Sequence, residues 1–261
     1  MTEQARQLRK SILHMAYIAQ DANLPSTFSA VEILRVLYDR VLRVSPETAA
    51  DPCRDRFVLS KGQATMGLLA ILAEKGYFPQ EELLTACRYD SRVSMQADRT
   101  KLPFVEVSAG SLGHGFPMAA GMAWANHIMN RDASVYVLAG DGEMNEGTMW
   151  EAALFAASEK LDRLTLVIDD NNSIGQMVRM GDLSEKLRAF GFQTVETDGH
   201  DEGALAQAFA VRHPGKPMAI LAKTVRGYGS RTLTEDRSWF HRAPTQKEME
   251  QLAREVECYG A

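Results

Sequence analysis

Short apolar runs alternate with amphipathic stretches along most of this chain. The apolar runs, rich in β-branched residues, predict buried strands at 57–59, 134–139, 164–168, 192–196 and 218–222. Between them, apolar residues recur three or four positions apart, which predicts helices at 3–20, 62–75, 80–88, 115–129, 146–160, 184–190 and 202–211. Strands that alternate with helices indicate an α/β fold: a doubly wound, mainly parallel sheet with helices on both faces.

Capping patterns predict where two further helices begin. Ser29 is followed three residues later by Glu32, which is typical of a capping box and predicts a helix running to about Leu42. Thr245 and Glu248 form the same pattern before the last amphipathic stretch. We therefore expect helices near both ends of the chain to pack over the central sheet.

Length, charge and cysteine content narrow the class of protein. The 261 residues suit one α/β domain, 1–261, and the net charge of −5 with scattered basic residues favours neither nucleic acid nor an anionic membrane as a partner. Three cysteines without metal-ligand spacing predict reduced thiols. No secretory leader or membrane span is visible, so we expect a soluble, cytoplasmic protein.

Polar residues follow two of the predicted strands. Gly140, Asp141 and Gly142 end one strand, and Asn171 lies just beyond the next. Because parallel strands joined by a helix open at the same sheet edge, these residues should converge there. A carboxylate and an amide oxygen suit Mg²⁺, with Ca²⁺ as a possible substitute, and Gly142 would let backbone N–H groups approach phosphate closely. The predicted ligand is a magnesium diphosphate.

A glycine-rich loop at Gly110–Gly115 precedes the helix at 115–129. Its order, G-x-x-G-x-G, is not the dinucleotide-binding fingerprint, and no acidic residue ends a following strand at the expected distance. His114 stands between two glycines, so its side chain should project from the loop. A ligand-facing role is favoured for His114, with a structural hydrogen bond as the alternative.

Five motifs together resemble the thiamine diphosphate-binding half of the transketolase family. They are Arg56 to Gly62, Gly110 to Gly115, Gly140 to Gly147 with Trp-Glu-Ala-Ala at 150–153, Asp170 to Asn172, and Ala222 to Gly227. The resemblance covers nearly the whole chain. It implies thiamine diphosphate as the cofactor, held through Mg²⁺, and a transferase activity on small-molecule substrates.

The resemblance also assigns roles by position. It implies that the metal is held by the Asp141 and Asn171 side chains and by the carbonyl of Ser173. The cofactor-contacting positions that it implies are Gly110, Leu112, Gly140, Asp141, Gly142, Glu143, Glu146 and Asn171. Glu146 and Glu151 match an acidic pair that the family places at its subunit interface.

A partner subunit follows from the same resemblance. In the family, a glutamate on a separate pyrimidine-binding domain contacts the aminopyrimidine ring, and this chain ends at Ala261 before such a domain. We therefore expect a second subunit that carries the pyrimidine-binding and C-terminal transketolase domains, in an α₂β₂ assembly. The expected reaction is transfer of a two-carbon ketol or acyl unit.

Two other functions remain open from the sequence. In the first, the chain is a subunit of a 2-oxo acid decarboxylating acyltransferase, which uses the same cofactor. The segments 150–153 and 161–164 favour transketolase over this alternative. The other is a non-catalytic scaffold that keeps the fold for assembly. The intact Asp141 and Asn171 count against a scaffold, because assembly alone has no need of a carboxylate and an amide at one sheet edge.

The chain departs from the family at its histidines. Positions where transketolases carry histidine read Asn23, Gln63, Gln96, and either Phe240 or the neighbouring His241. Asn and Gln form hydrogen bonds but cannot carry a proton, so a nonstandard donor or acceptor is predicted. Gln63, Gln96, His114 and His241 are the candidate catalytic residues. The alternative is that His114, His241 and histidines of the partner take over the proton transfers.

Overall fold

The computed structural model describes residues 1–173, 178 and 180–260, which build one five-stranded sheet. The strands are β1 (Arg56–Leu59), β2 (Val135–Gly140), β3 (Leu164–Asp170), β4 (Gln193–Asp198) and β5 (Met218–Lys223). They pair in the order β1-β2-β3-β5-β4, and every pair is parallel. This confirms the predicted strands and the parallel sheet.

Helices connect the strands and cover the sheet. They are α1 (Glu3–Ala19), α2 (Leu24–Phe28), α3 (Val31–Val36), α4 (Thr65–Glu74), α5 (Gly115–Ile128), α6 (Gly147–Ser158), α7 (Leu183–Ala189), α8 (Glu202–Phe209), α9 (Arg231–Glu235) and α10 (Gln246–Cys258). A π turn continues α3 over Leu37–Val41, and 3₁₀ turns occupy Gly62–Ala64, Gln80–Thr85 and Gly142–Asn145. Among the residues that the structure describes, no helix is long and apolar enough to cross a bilayer.

Neighbouring strand residues point to opposite faces and so divide the core into two layers. Leu138 and Val167 pack on one face with apolar residues of α1, α3, α4, α8 and α10. Val137 and Leu166 pack on the other face with α5, α6 and α7. Each face is thus covered by helices, as the doubly wound prediction requires.

The register of the sheet brings four loops to one edge. Gly140 at the end of β2 is opposite Asp169 of β3, and the Asp141 N–H donates to the Asp169 carbonyl at 3.1 Å. The segments after β1 and β5 open at the same carboxyl edge, because these strands also run parallel to the central pair. Ligands bind at this edge in open α/β sheets.

The predicted helix from Ser29 to Leu42 is wrong at its start. Helix α3 begins at Val31 with Ala30 as an N-cap that makes no side-chain hydrogen bond, and a separate helix, α2, ends at Phe28. The Ser29 hydroxyl instead donates to Oδ2 of Asp169 at 2.6 Å, and Glu32 pairs with Arg9. The tertiary partners of both side chains outweigh the local capping box, which the sequence alone cannot reveal.

Two other helix predictions change in different ways. The segment 80–88 forms only a 3₁₀ turn over Gln80–Thr85. The Thr245–Glu248 capping box is confirmed, since the Thr245 side chain accepts from the Glu248 N–H and the Glu248 side chain accepts from the Thr245 N–H. The Thr245 box forms even though Glu248 also pairs with Arg242, whereas Ser29 and Glu32 are taken by buried partners.

Candidate functional site

The two oxygen-bearing side chains predicted at the sheet edge meet at one backbone amide. The Ser173 N–H lies 2.9 Å from Oδ2 of Asp141 and 3.1 Å from Oδ1 of Asn171. The Ser173 hydroxyl also donates to Oδ1 of Asp141 at 2.6 Å, and the Gly142 N–H donates to the same oxygen at 2.8 Å. The structure thus brings Asp141, Asn171 and Ser173 together after β2 and β3.

The donor set at this edge consists of hard oxygen atoms. Asp141 supplies a carboxylate and Asn171 an amide oxygen, while Ser173 presents its N–H and its hydroxyl to Asp141. Within the described ranges, no group of three or more His, Cys, Asp or Glu side chains is arranged to hold a metal. A single carboxylate with neutral oxygens suits Mg²⁺, which keeps waters and ligand phosphates in its shell, better than zinc.

A buried ion pair lies next to the loop at 140–143, which follows β2. Lys61, in the turn after β1, reaches the Asp169 carboxylate of β3, and the two residues are only 4% and 0% exposed. The hydroxyls of Ser29 and Thr224 also donate to Asp169. The sequence did not indicate this cluster, because its members are distant in the chain and only the Ser-Lys-Gly motif drew attention to Lys61.

Glu143, in the loop at 140–143, is hydrogen-bonded to two other loops. Its Oε1 accepts hydrogen bonds from the Ser60 hydroxyl and, at 2.9 Å, from the Gly113 N–H. Its Oε2 is buried and has no partner among the described residues. Burial raises the pKa of this carboxyl, while hydrogen bonds from Ser60 and Gly113 oppose the rise. Oε1 is thus bonded to donors of this chain. The Glu143 side chain also lines a cavity at the carboxyl edge of the sheet.

The glycine-rich loop is hydrogen-bonded to the start of α6. The Thr148 hydroxyl donates to the Gly113 carbonyl at 2.7 Å, so both backbone polar groups of Gly113 are bonded to the Glu143–Thr148 region. Gly113 has φ of +80°, and a Cβ there would lie 2.6 Å from Cβ of Glu146 and from Oγ1 of Thr148. Only glycine satisfies both conditions, so its place in the motif has a steric cause.

These loops surround a cavity of about 370 Å³. Its wall includes the loop at 140–143, Leu112 of the glycine-rich loop, Gln63, and the basic residues Arg226 and Arg237. Arg226 is half-buried, and burial together with the nearby charge of Arg237 lowers its pKa. Two guanidinium groups at one cavity favour an anionic ligand there.

The residues predicted to stand where transketolases carry histidine separate into two groups. Gln63 and Phe240 line the cavity, and Gln96 lies over the glycines beside it, with Oε1 2.6 Å from the place of a Cβ on Gly62. Asn23 instead links two distant segments of the chain, because its Oδ1 accepts a hydrogen bond from the His241 N–H at 3.3 Å. Of the two neighbours Phe240 and His241, Phe240 is the one that lines the cavity.

The two candidate histidines are exposed. His114 has Nδ1 at 3.1 Å from the Leu112 carbonyl, on the loop that borders the cavity. His241 has Nδ1 at 3.6 Å from Oδ1 of Asp21 and a positive φ of 47°. Neither side chain is held inside the site by this chain, so each is open to a ligand or to another subunit.

An exposed apolar face lies beside the site on α5 and α6. Glu146 and Glu151, predicted at a subunit interface, are exposed in this chain. Around them, large apolar side chains remain uncovered: Met118, Trp124, Ile128, Leu154 and Phe155. Trp124 and Phe155 contact each other edge to face, with ring centroids 6.0 Å apart. An exposed patch of this kind is typical of an interaction surface.

The parallel sheet, with the glycine-rich and oxygen-bearing loops at its carboxyl edge, defines an α/β protein whose ligand site lies at that edge. The family described as "Transketolase, thiamine diphosphate binding domain" matches residues 9–260. The chain belongs to the transketolase family of thiamine diphosphate-dependent transferases and corresponds to its N-terminal, cofactor-binding domain.

Several relatives are separate subunits of about the same length. The chain is 35% identical to one subunit of the apulose-4-phosphate transketolase of Actinobacillus succinogenes, over 98% of this chain and 95% of that protein. It is also 35% identical to the SqwG subunit of the 6-deoxy-6-sulfo-D-fructose transketolase of Clostridium sp. (strain MSTE9), over 100% of this chain and 98% of that protein. Both are named as subunits of transketolases.

Other relatives are longer, single-chain enzymes. Human transketolase is 35% identical over 98% of this chain, which spans 42% of its length. The crystal structure of transketolase from Campylobacter jejuni superposes with a TM-score of 0.87 and 25% identity, over 98% of this chain and 43% of that one. The fold prediction and the family resemblance are therefore confirmed.

Proposed function

We propose that this chain is the N-terminal subunit of a two-component, thiamine diphosphate- and Mg²⁺-dependent transketolase that transfers a two-carbon ketol unit. The observation that carries the proposal is the meeting of Asp141 and Asn171 at the Ser173 amide, on the wall of a cavity with two arginines. The family relationship supports the cofactor, and the hard-oxygen set supports the metal.

The residues present fit the metal and the diphosphate. Asp141, Asn171 and the Ser173 carbonyl would hold Mg²⁺, while the Gly142 backbone and Arg226 would face the phosphates. The Gly110–Gly115 loop, with Leu112, would face the rings. When bound, thiamine diphosphate supplies a nucleophilic carbon that adds to a substrate carbonyl. The chain's own part is to hold the diphosphate, exclude water and orient the substrate.

We propose a substrate other than the usual sugar phosphates. The cavity wall carries Gln63 and Phe240, and Gln96 lies next to it, so at these positions the chain offers amides or an apolar ring rather than a group that transfers protons. Two relatives of similar length are named for modified ketoses, which supports a modified ketose as donor. Gln63 and Gln96 would contact the substrate, and His114 and His241 would assist from the rim.

We propose that the partner is a second subunit carrying the pyrimidine-binding and C-terminal transketolase domains, in an α₂β₂ complex. The names of several relatives as subunits support a partner. The exposed apolar face on α5 and α6, with Glu146 and Glu151, would lie against it. We further propose that residues 1–261 are one domain and work in the cytoplasm, where the three free, exposed cysteines would stay reduced.

The decisive experiment uses the complex purified with the product of a neighbouring transketolase-like gene. We expect calorimetry to detect thiamine diphosphate binding that requires Mg²⁺. We expect modified ketoses to be better donors than xylulose 5-phosphate or 2-oxo acids, with ribose 5-phosphate as the reference acceptor. A specificity constant on the order of 10⁵ M⁻¹s⁻¹ for xylulose 5-phosphate would contradict the substrate proposal. Turnover by the single chain would contradict the partner proposal.

A further inference from the structure

His200, which follows β4 at the edge of the sheet, joins a buried carboxylate to the loop after β5. The Val225 N–H donates to Nε2 of His200 at 2.8 Å, and Nδ1 lies 3.1 Å from Oε2 of Glu32. An imidazole nitrogen accepts a hydrogen bond only when it carries no proton. The proton of His200 therefore resides on Nδ1, which donates to Glu32, and the ring is neutral in this arrangement.

Charged and aromatic groups enclose the imidazole on every side. The ring stacks on Tyr228 with centroids 3.6 Å apart, and Tyr259 packs edge-on against Tyr228. The His200 backbone N–H donates to Oδ1 of Asp198 at 2.8 Å. Beneath the ring, fully buried Arg9 donates to both oxygens of Glu32, at 2.7 and 2.9 Å. Glu32 is thus paired with Arg9 as well as with His200.

The loop held by His200 carries Arg226 to the cavity. On one side of Arg226, the Val225 N–H is bonded to His200; on the other, the Gly227 N–H donates to the Pro25 carbonyl at 2.9 Å. Gly227 has φ of +82°, and a Cβ there would lie 2.5 Å from the Leu233 backbone. The backbone on both sides of Arg226 is therefore held, which fixes the point from which its side chain reaches the cavity.

We propose that neutral His200 is a positioning residue, which fixes the 224–227 loop so that Arg226 meets the anionic part of the ligand, and that protonation of Nε2 releases this loop. Protonated Nε2 would present a hydrogen to the Val225 N–H, and two donors cannot bond. The inference rests on the proposed function for the identity of the anion, the cofactor diphosphate. The state of His200 itself is independent of that identity.

The first test compares cofactor binding across pH in the assembled complex. Thiamine diphosphate with Mg²⁺ is titrated between pH 5.5 and 8.5 into the wild type, His200→Gln and His200→Phe. A glutamine amide oxygen can accept from Val225 without titrating, so His200→Gln should keep the affinity at pH 8.5 and lose the fall at acid pH. His200→Phe keeps the stack on Tyr228 but should bind roughly tenfold more weakly at every pH.

A matched control separates this effect from other titrations. His213, whose Nδ1 lies 2.7 Å from the Lys216 carbonyl on an exposed loop, is replaced by Gln. His213→Gln should leave the wild-type pH profile unchanged, with a roughly tenfold loss of affinity from pH 8.5 to pH 5.5. A His200→Gln complex that shows the same acid loss as the wild type would overturn the inference.

The second test needs no cofactor. Nitrogen-15 NMR of the ligand-free protein should show an unprotonated Nε2 on His200 at pH 8, and the Val225 amide should be protected from exchange at pH 8 and less so at pH 5.5. A protonated Nε2 at pH 8, or equal protection at both values, would overturn the inference. If the wild type binds no thiamine diphosphate at any pH, the proposed function fails while this test still decides the role of His200.

Discussion

Lys61 and Asp169 form an ion pair in the interior, beneath the carboxyl edge of the sheet. They lie 108 residues apart in the chain, and the pair is completed by Ser29, whose hydroxyl donates to Asp169 at 2.6 Å. The pair therefore joins the turn after β1 to β3 and to the segment between α2 and α3. Such an arrangement is strongly destabilised when one charge is removed, because the other remains buried.

Lys61→Met should destabilise the chain by about 3–5 kcal/mol, because Asp169 would keep its charge without a cation. The measurement is urea unfolding of the ligand-free protein at pH 7. Lys75→Met is the matched control, since Lys75 pairs with Asp39 at the surface and should cost less than about 1 kcal/mol. Equal losses in the two variants would show that burial of the pair has no energetic weight.

Asp141→Asn should weaken binding of thiamine diphosphate with Mg²⁺ by roughly 100-fold or more, because the metal loses its carboxylate. The loop should also loosen, since the side chain accepts hydrogen bonds from Gly142 and Ser173. Asp170→Asn, one residue beyond Asp169, is the control because Asp170 pairs with Lys223 outside this set. Calorimetry that finds undiminished affinity in Asp141→Asn would remove Asp141 from the metal site.

Acid should destabilise the fold through Glu32. Burial raises the pKa of this carboxyl, but the charge of Arg9 and hydrogen bonds from His200 and Arg9 lower it from 4.5 to about 2. A depressed pKa stabilises the folded state above pH 4.5, and this contribution is lost as pH falls through 2. We expect about 3 kcal/mol to disappear across that window in urea unfolding series.

Glu32→Gln should remove most of that pH dependence and should cost about 3–5 kcal/mol at pH 7, because Arg9 is left buried without a carboxylate. Glu3→Gln is its control, since Glu3 pairs with Arg6 at the surface and should change stability by less than about 1 kcal/mol. A Glu32→Gln protein with the wild-type slope between pH 4.5 and 2 would assign the acid sensitivity to other groups.

Gly113→Ala should reduce cofactor affinity and destabilise the loop by about 1–3 kcal/mol, because φ is +80° and the new Cβ would meet Glu146 and Thr148. Gly121→Ala on α5 is the opposite case, since a Cβ there meets nothing within 4 Å. It should raise the melting temperature of the single chain, as alanine favours the helix by up to about 1 kcal/mol. Thermal unfolding of both variants checks the contrast.

Gln63→Ala should lower turnover of the assembled complex by about tenfold or more while leaving thiamine diphosphate affinity within about twofold, because Gln63 lines the cavity and is proposed to contact the substrate rather than the cofactor. Gln207→Ala, at an exposed position of α8, should change neither quantity. A loss of cofactor affinity equal to the loss of turnover would place Gln63 at the cofactor rather than at the substrate.

Local patterns in the sequence determined the fold. Apolar β-branched runs predicted strands whose bounds agree within two residues, and the strand-helix alternation required parallel pairing with helices on both faces. The same rule placed Asp141 and Asn171 at one edge, where they now lie close to the Ser173 amide. These features follow from periodicity and chain direction, which a sequence carries directly.

Only the tertiary structure decided which polar side chains are paired in the interior. Ser29 and Glu32 look like a helix cap, but their partners are Asp169 and Arg9, and the partners of Glu143 are Ser60 and Gly113. The sequence could not show these pairs because they join residues far apart in the chain. A buried polar group must find a partner wherever the fold supplies one, and that requirement overrides local preference.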